Sequence, residues 1–146
     1  MKLFEIHQIQ LTKEDRAKIN TEGRNSVPKY LAKIDMDISD RIRLDAKIAM
    51  NKGYYTHVAN IKAKNLNEVF RIGNEVRSER YEAPKRWNDI PNDPDFPEDN
   101  NEVESIERFT NMHSISIGDL IIDDDNVVWV VATFGFEPVT IRRRAA

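Results

Sequence analysis

Apolar side chains at Leu3, Phe4, Ile6, Ile9 and Leu11 come close to alternating with polar ones, which predicts a strand at the start of the chain. Thr12-Lys-Glu-Asp15 follows it. A Thr hydroxyl can accept from an early helical N–H while an acid three residues on reaches back, so a helix is predicted to about Asn20, stopping near Gly23. Tyr30, Ala32, Ile34, Met36 and Ile38 fall on alternate positions, the period of a half-buried strand. Ser39 or Asp40 is placed to cap the next helix, with Ile42, Ala46, Ala49 and Met50 on one face and Gly53 at its C-terminus. Tyr54 to Lys62 is rich in aromatic and β-branched residues and reads as a strand. Asn65 caps a predicted helix with Leu66, Val69, Phe70 and Gly73 inward, extending through Arg77 to Tyr81.

The pattern breaks at Glu82. Pro84, Pro91, Pro94 and Pro97 oppose regular structure, so about 82–105 is predicted as a long loop. Glu102 to Phe109 reads as one short helix. Two apolar runs, about 119–123 and 127–134, flank Asp123-Asp-Asp-Asn126 and predict a hairpin, punctuated by Gly118 and Gly135. A last strand is predicted near Val139 to Ile141, before a basic tail at 142–146. The order is β-α-β-α-β-α-loop-β-β. It predicts one small α+β domain over 1–146, with a mostly antiparallel or mixed sheet, three helices and a C-terminal β-hairpin.

Composition changes this picture in two places. The 146 residues include no cysteine, which removes disulfides, thiolate nucleophiles and Cys-based zinc sites. The net charge of −3 is unevenly placed: residues 88–107 carry eight acids and no Lys or Arg. Taking that −8 out leaves about +5 on the rest of the chain. No apolar run is long enough to span a bilayer, and Glu5 and His7 interrupt the stretch a signal peptide would need. A cytoplasmic protein is the expectation.

Two segments together carry a family likeness. One is Ile61-Lys-Ala-Lys-Asn-Leu-Asn-Glu-Val-Phe-Arg-Ile-Gly-Asn74, and the other is Met112-His-Ser-Ile-Ser-Ile-Gly-Asp-Leu-Ile122 with the strand ending Ala132-Thr-Phe-Gly-Phe136. This resembles the YodL-like domain and related small proteins of tailed phages and plasmids. There, a Leu-x-x-Val-Phe helix precedes a Ser-hydrophobic-Ser-Val-Gly-Asp strand and Gly-Phe closes the hairpin. Ser114, Ser116, Gly118, Asp119, Gly135 and Phe136 fill those positions, and Gly53-Tyr-Tyr-Thr-His-Val58 looks like proteins of marine phages. The resemblance covers about half the chain. It implies a mobile-element accessory protein in a bacterial host's cytoplasm and brings no reaction and no catalytic residue.

Candidate chemistry is sparse. The five glycines form neither a dinucleotide nor a P-loop spacing, and no Gly-x-Ser-x-Gly elbow occurs. A non-enzymatic protein without a cofactor is the expectation. His7, His57 and His113 could serve a metal with Asp119, or with Asp35 and Asp37, but no pair has the i, i+4 spacing of a helical zinc motif. The reading favoured is structural or surface histidines. Gly118-Asp119 reads as a turn whose Asp accepts from nearby N–H groups, rather than a catalytic carboxylate. Asp123 to Asp125 lack the spacing of an EF-hand loop and read as a solvated turn.

The best sequence-level candidate is the acidic Pro-rich loop. Trp87, Ile90 and Phe96 supply apolar anchors beside Asp89, Asp93, Asp95, Glu98 and Asp99. Such a segment suits docking to a host or phage protein with a basic surface, in host takeover or counter-defence. A plain solvated linker has equal weight. The alternative function is a small nucleic-acid-binding module using Arg142, Arg143 and Arg144 and a basic face.

Overall fold

The structure, a computed structural model, describes residues 1–75, 105–110 and 112–139. Within them lie six strands: β1 (Lys2–Ile9), β2 (Tyr55–Ala63), β3 (Ile106–Arg108), β4 (Leu120–Ile122), β5 (Val128–Ala132) and β6 (Gly135–Pro138). Four helices accompany them: α1 (Lys13–Glu22), α2 (Pro28–Asp37), α3 (Ile42–Asn51) and α4 (Leu66–Glu75). A single 3₁₀ turn, Arg24–Ser26, joins α1 to α2. The strands form one antiparallel sheet in the order β3-β2-β1-β4-β5-β6. The α+β class and the C-terminal hairpin are as the pattern predicts, with four α-helices where three were expected.

Both faces of the sheet are covered, which is why β1, β4 and β5 are apolar on alternate sides. Phe4, Ile6, Ala59, Ile61, Ile121 and Val131 pack with Val69 and Ile72 of α4. Ile9, Leu120, Val128 and Val130 pack on the other side with Met36 of α2 and Ile42, Ala46 and Ala49 of α3. Of the predicted inner face of α4, Val69 and Gly73 are buried. Phe70 is 37% exposed and lies edge-on to Phe136, and Ile72 takes the buried position.

Local chemistry explains the element ends. Thr12 Oγ1 accepts from Asp15 N at 3.0 Å and Asp15 Oδ2 from Thr12 N at 2.9 Å, a complete capping box. Asn65 Oδ1 accepts from Glu68 N at 2.9 Å and starts α4. Gly53, at φ +71°, ends α3 by donating to Met50 O at 3.0 Å, and Tyr54 N reaches Ala49 O at 3.1 Å. Asp123 Oδ1 accepts from Asp125 N and Val127 N, both at 2.9 Å, while Oδ2 accepts from Trp129 Nε1 at 3.0 Å. That carboxylate therefore ties the β4–β5 turn together.

Three expectations are corrected. Tyr30 to Ile38 is not a strand: Pro28 to Asp37 is helix α2. Pro28 sits at the first helical position, where its fixed φ favours helix, and Val27 O accepts from Tyr30 N and Leu31 N. Met36 is buried while Ile38, which alternation would have put inside, is 86% exposed. Ser39 and Asp40 do not cap α3, whose N-cap is Arg41. Ser39 Oγ instead accepts from Arg41 N at 2.9 Å and donates to the Asp45 carboxylate. Within the predicted helix from Glu102 to Phe109, Ile106 to Arg108 is strand β3, because it finds an open edge on β2. β6 starts at Gly135, where a tight turn at Thr133–Phe134 sends the chain straight back along β5; of the strand predicted near Val139 to Ile141 only Val139 is described, and the rest lies outside the described residues.

β1 and β2 do not pair uniformly. Ile6 lies opposite Ala59 but His7 lies opposite His57, so Val58 is one extra residue on β2. This bulge changes which side chains share a face.

Candidate functional site

Two polar groups stand out among the described residues, and neither is where the sequence placed the function. The first lies at the end of the sheet where β1 stops and β4 begins. Gln8 is fully buried, and Asp119 is 4% exposed. Gln8 Nε2 donates to Asp119 Oδ2 at 2.9 Å and to His113 O at 2.9 Å, and Gln8 Oε1 accepts from His113 N at 3.2 Å. Ser116 N donates to the same Asp119 Oδ2 at 2.9 Å. One side chain from β1 thus holds the whole segment that leads into β4. Asp119 does accept from a nearby backbone N–H, as its turn context predicts.

Burial pushes the Asp119 carboxyl up to about 7, against the Ser116 N–H, the Gln8 amide and Lys33, which lower it; Asp37 adds to the rise. Gly118, at φ +92°, precedes it. Gly118 N donates to Val131 O at 2.9 Å and its carbonyl accepts from Tyr55 Oη at 2.6 Å. Burial, with the Asp119 charge nearby, raises the Tyr55 hydroxyl well above its usual range, so this phenol stays a hydrogen-bond donor. Tyr55→Phe should cost about 1–2 kcal/mol in urea unfolding, because Gly118 O loses its buried donor. An unchanged midpoint would contradict this.

At the rim of this group, Lys33 Nζ lies 3.4 Å from His113 Nε2 and 3.3 Å from Ile9 O. His113 Nδ1 lies 2.9 Å from Ser114 O and 4.0 Å from Asp119 Oδ2. A nitrogen facing a carbonyl must donate and one facing an ammonium must accept, so His113 is the neutral Nδ1–H tautomer. Its pKa is lowered, first by burial, with Lys33 acting the same way. Lys33 and His113 open onto a cleft of about 420 Å³ that Lys13, Arg16, Gln10 and Thr110 also line. No Asp or Glu lines it among the described residues. A larger cleft of about 450 Å³ beside α3 mixes Asp40 and Glu137 with Arg41, Arg43 and Lys47, and so has no single charge preference.

The second group joins β1 to β2. His7 and His57 are direct cross-strand partners with rings stacked 4.7 Å apart and 7° from parallel. Glu5 Oε1 lies 3.1 Å from His7 Nε2 and 3.8 Å from His57 Nε2. Asn60 Oδ1 lies 2.7 Å from His57 Nε2.

The structure therefore separates the three histidines: His113 stands with Asp119, while His57 pairs with His7 and Glu5. Asp35 and Asp37 are exposed on α2, and Asp124 and Asp125 are exposed in the hairpin turn. The loop residues Trp87, Asp89, Ile90, Asp93, Asp95, Phe96, Glu98 and Asp99 lie outside the described residues, as do Arg142, Arg143 and Arg144. Sequence reasoning missed Gln8, Lys33 and Glu5. Gln8 carried a usable signal, a polar residue on a position that continues the buried series Phe4, Ile6. Lys33 and Glu5 carried none.

The fold and these sites define a small α+β protein with a cationic cleft at one end of an antiparallel sheet. No known protein family matches the chain, and no curated protein or solved structure matches it. Among the described residues no helix is long and apolar enough to cross a membrane.

Proposed function

We propose that this is a non-enzymatic binding module whose cleft takes the phosphates of a nucleic acid. The observation that carries the reading is the lining of the cleft: Lys13 and Arg16 from α1 and Lys33 from α2 converge around about 420 Å³, with no acidic side chain among the described lining residues. Arg and Lys are the side chains that neutralise backbone phosphates, and three of them in one concavity give a track rather than scattered charge. The buried Asp119 supports the reading indirectly. It is spent on Gln8 and Ser116, holding the His113 segment that forms one wall. In the mobile-element setting that the YodL-like motif implies, such a module would act on phage, plasmid or host nucleic acid.

A mobility-shift titration on single- and double-stranded DNA and RNA tests this. Binding that uses these three cations should fall with a log–log salt slope of about −2 to −3. Lys13→Glu with Arg16→Glu should weaken it at least about tenfold, since both sites are exposed and each reversal replaces attraction with repulsion. No shift at low salt, or equal binding by the double variant, would sink the reading.

A further inference from the structure

We propose that Glu5, His7 and His57 form a binding site for one divalent transition-metal ion, with Asn60 as a fourth donor within reach. The argument starts from register. Glu5 and His7 are two apart on β1 and so share a face. Before the bulge, pairing runs Glu5 to Asn60 and Ile6 to Ala59. Continued without interruption, it would set His57 opposite Gln8, on the other face. The extra residue Val58 shifts the ladder by one, and His57 comes to lie opposite His7. Bulges re-aim side chains in this way and concentrate at functional sites.

The donors then converge. Nitrogen and carboxylate ligand atoms of Glu5, His7 and His57 all lie within 4.8 Å of one another. Both Nε2 atoms turn to the same Glu5 oxygen, at 3.1 and 3.8 Å. In a tetrahedral zinc site with bonds of about 2.0–2.1 Å, ligand atoms stand about 3.3 Å apart. The two distances to Glu5 Oε1 fall on either side of that value. Because an imidazole lone pair lies in its ring plane and the two rings stack 7° from parallel, one ring must also turn on its side-chain torsions for both Nε2 atoms to face the same ion. Asn60, the register partner of Glu5, presents Oδ1 2.7 Å from His57 Nε2.

Two imidazoles and one carboxylate select a borderline ion such as Zn²⁺, Co²⁺, Ni²⁺ or Cu²⁺ over Ca²⁺ or Mg²⁺, which prefer all-oxygen sites. The surroundings suit it. Phe109 packs edge-on against the His57 ring at 4.9 Å. Glu107 of β3, the register partner of Asn60, adds a further acid on the same face. With 41% of the Glu5 side chain and 36% of the His57 side chain exposed, an ion has a route in.

Titration of the full chain with ZnCl₂ by calorimetry, and with CoCl₂ by visible absorption, tests the site at pH 7.5. The expected result is one ion per chain, a dissociation constant of order micromolar, and a Co²⁺ spectrum of low coordination number. His57→Ala and Glu5→Gln, both at partly exposed positions and each checked for native circular dichroism, should weaken binding more than the about 10–100-fold typical of losing an outer-shell partner. Zn²⁺ should raise the melting temperature of the parent chain and leave that of His57→Ala unchanged. Asp124→Asn with Asp125→Asn, in the other cluster of acids, should bind as the parent does. No binding at about 1 mM ion, or loss in the Asp124/Asp125 variant with His57→Ala and Glu5→Gln unaffected, overturns the proposal.

Discussion

Asp119→Ala should lower the unfolding free energy by about 2–4 kcal/mol, because two buried donors lose their acceptor at once. Those donors are the Gln8 amide and the Ser116 N–H, each 2.9 Å from Asp119 Oδ2. The same carboxyl should also make stability depend on pH with an unusual sign. Its folded pKa is about 7, raised from 3.8 by burial. Below about pH 4 it is protonated in both states, and its favourable contribution is complete. Between there and about pH 7 the folded chain holds a proton that the unfolded chain has lost. As pH rises through 7, the folded chain must keep a buried carboxylate, and that contribution is gone. At about 1.4 kcal/mol per pKa unit, the loss between pH 5 and 8 is of order 2–3 kcal/mol at most.

His7 and His113 have lowered pKa values, and both act in the opposite direction, adding stability as pH rises through their range. The comparison that isolates Asp119 is therefore with Asp119→Asn. The amide oxygen can still accept from Gln8 and Ser116 but does not titrate. Urea unfolding from pH 5 to 8 should show parent stability falling relative to Asp119→Asn. Parallel curves would mean that the carboxyl is not desolvated in the folded chain.

Gly73→Val is the second large effect. Gly73 lies on the buried face of α4, where it meets the Met112–Ile117 segment leading to β4. A Cβ there would run into Ile115 Cδ1 and lie 2.8 Å from its Cγ1, and Ile115 is 3% exposed. Overpacking of this kind costs about 1–3 kcal/mol even for one methyl, and valine adds three carbons. The helix-propensity gain over glycine, under about 1 kcal/mol, does not offset it. The loss should be relieved by making room. Gly73→Val with Ile115→Ala should be less destabilised than the sum of the single variants by about 1 kcal/mol or more. Additive effects would show that the two positions do not touch. The outcome bears on the candidate site, since Ile115 anchors the segment that carries His113.

Much of the fold was legible where structure is settled within a few residues. Thr12 and Asp15 cap each other, Asn65 caps α4, Gly53 closes α3, and Asp123 with Asn126 forms the β4–β5 turn. Each depends on side chains reaching backbone groups two to four positions away, so composition and order suffice. Tyr30 to Ile38 was misread because five apolar residues fall by chance on alternate positions. Pro28 and the packing of Met36 between α3 and the sheet decided for helix. Ile106 to Arg108 was misread because three residues have little preference of their own; the unpaired edge of β2 made them a strand.

The candidate sites divide the same way. The sequence by itself determined the class of the fold, the turn role of Asp119 and the exposure of Asp124 and Asp125 in their turn, all consequences of local hydrogen bonding and hydrophobic period. Only the tertiary structure decided that Gln8 and Asp119, 111 positions apart, meet in the interior, and that Lys33 joins Lys13 and Arg16 around one cleft. It alone decided that His57 faces His7, because a single extra residue at Val58 sets the register across two strands. Register and long-range burial are properties of paired segments. No window along one segment contains them.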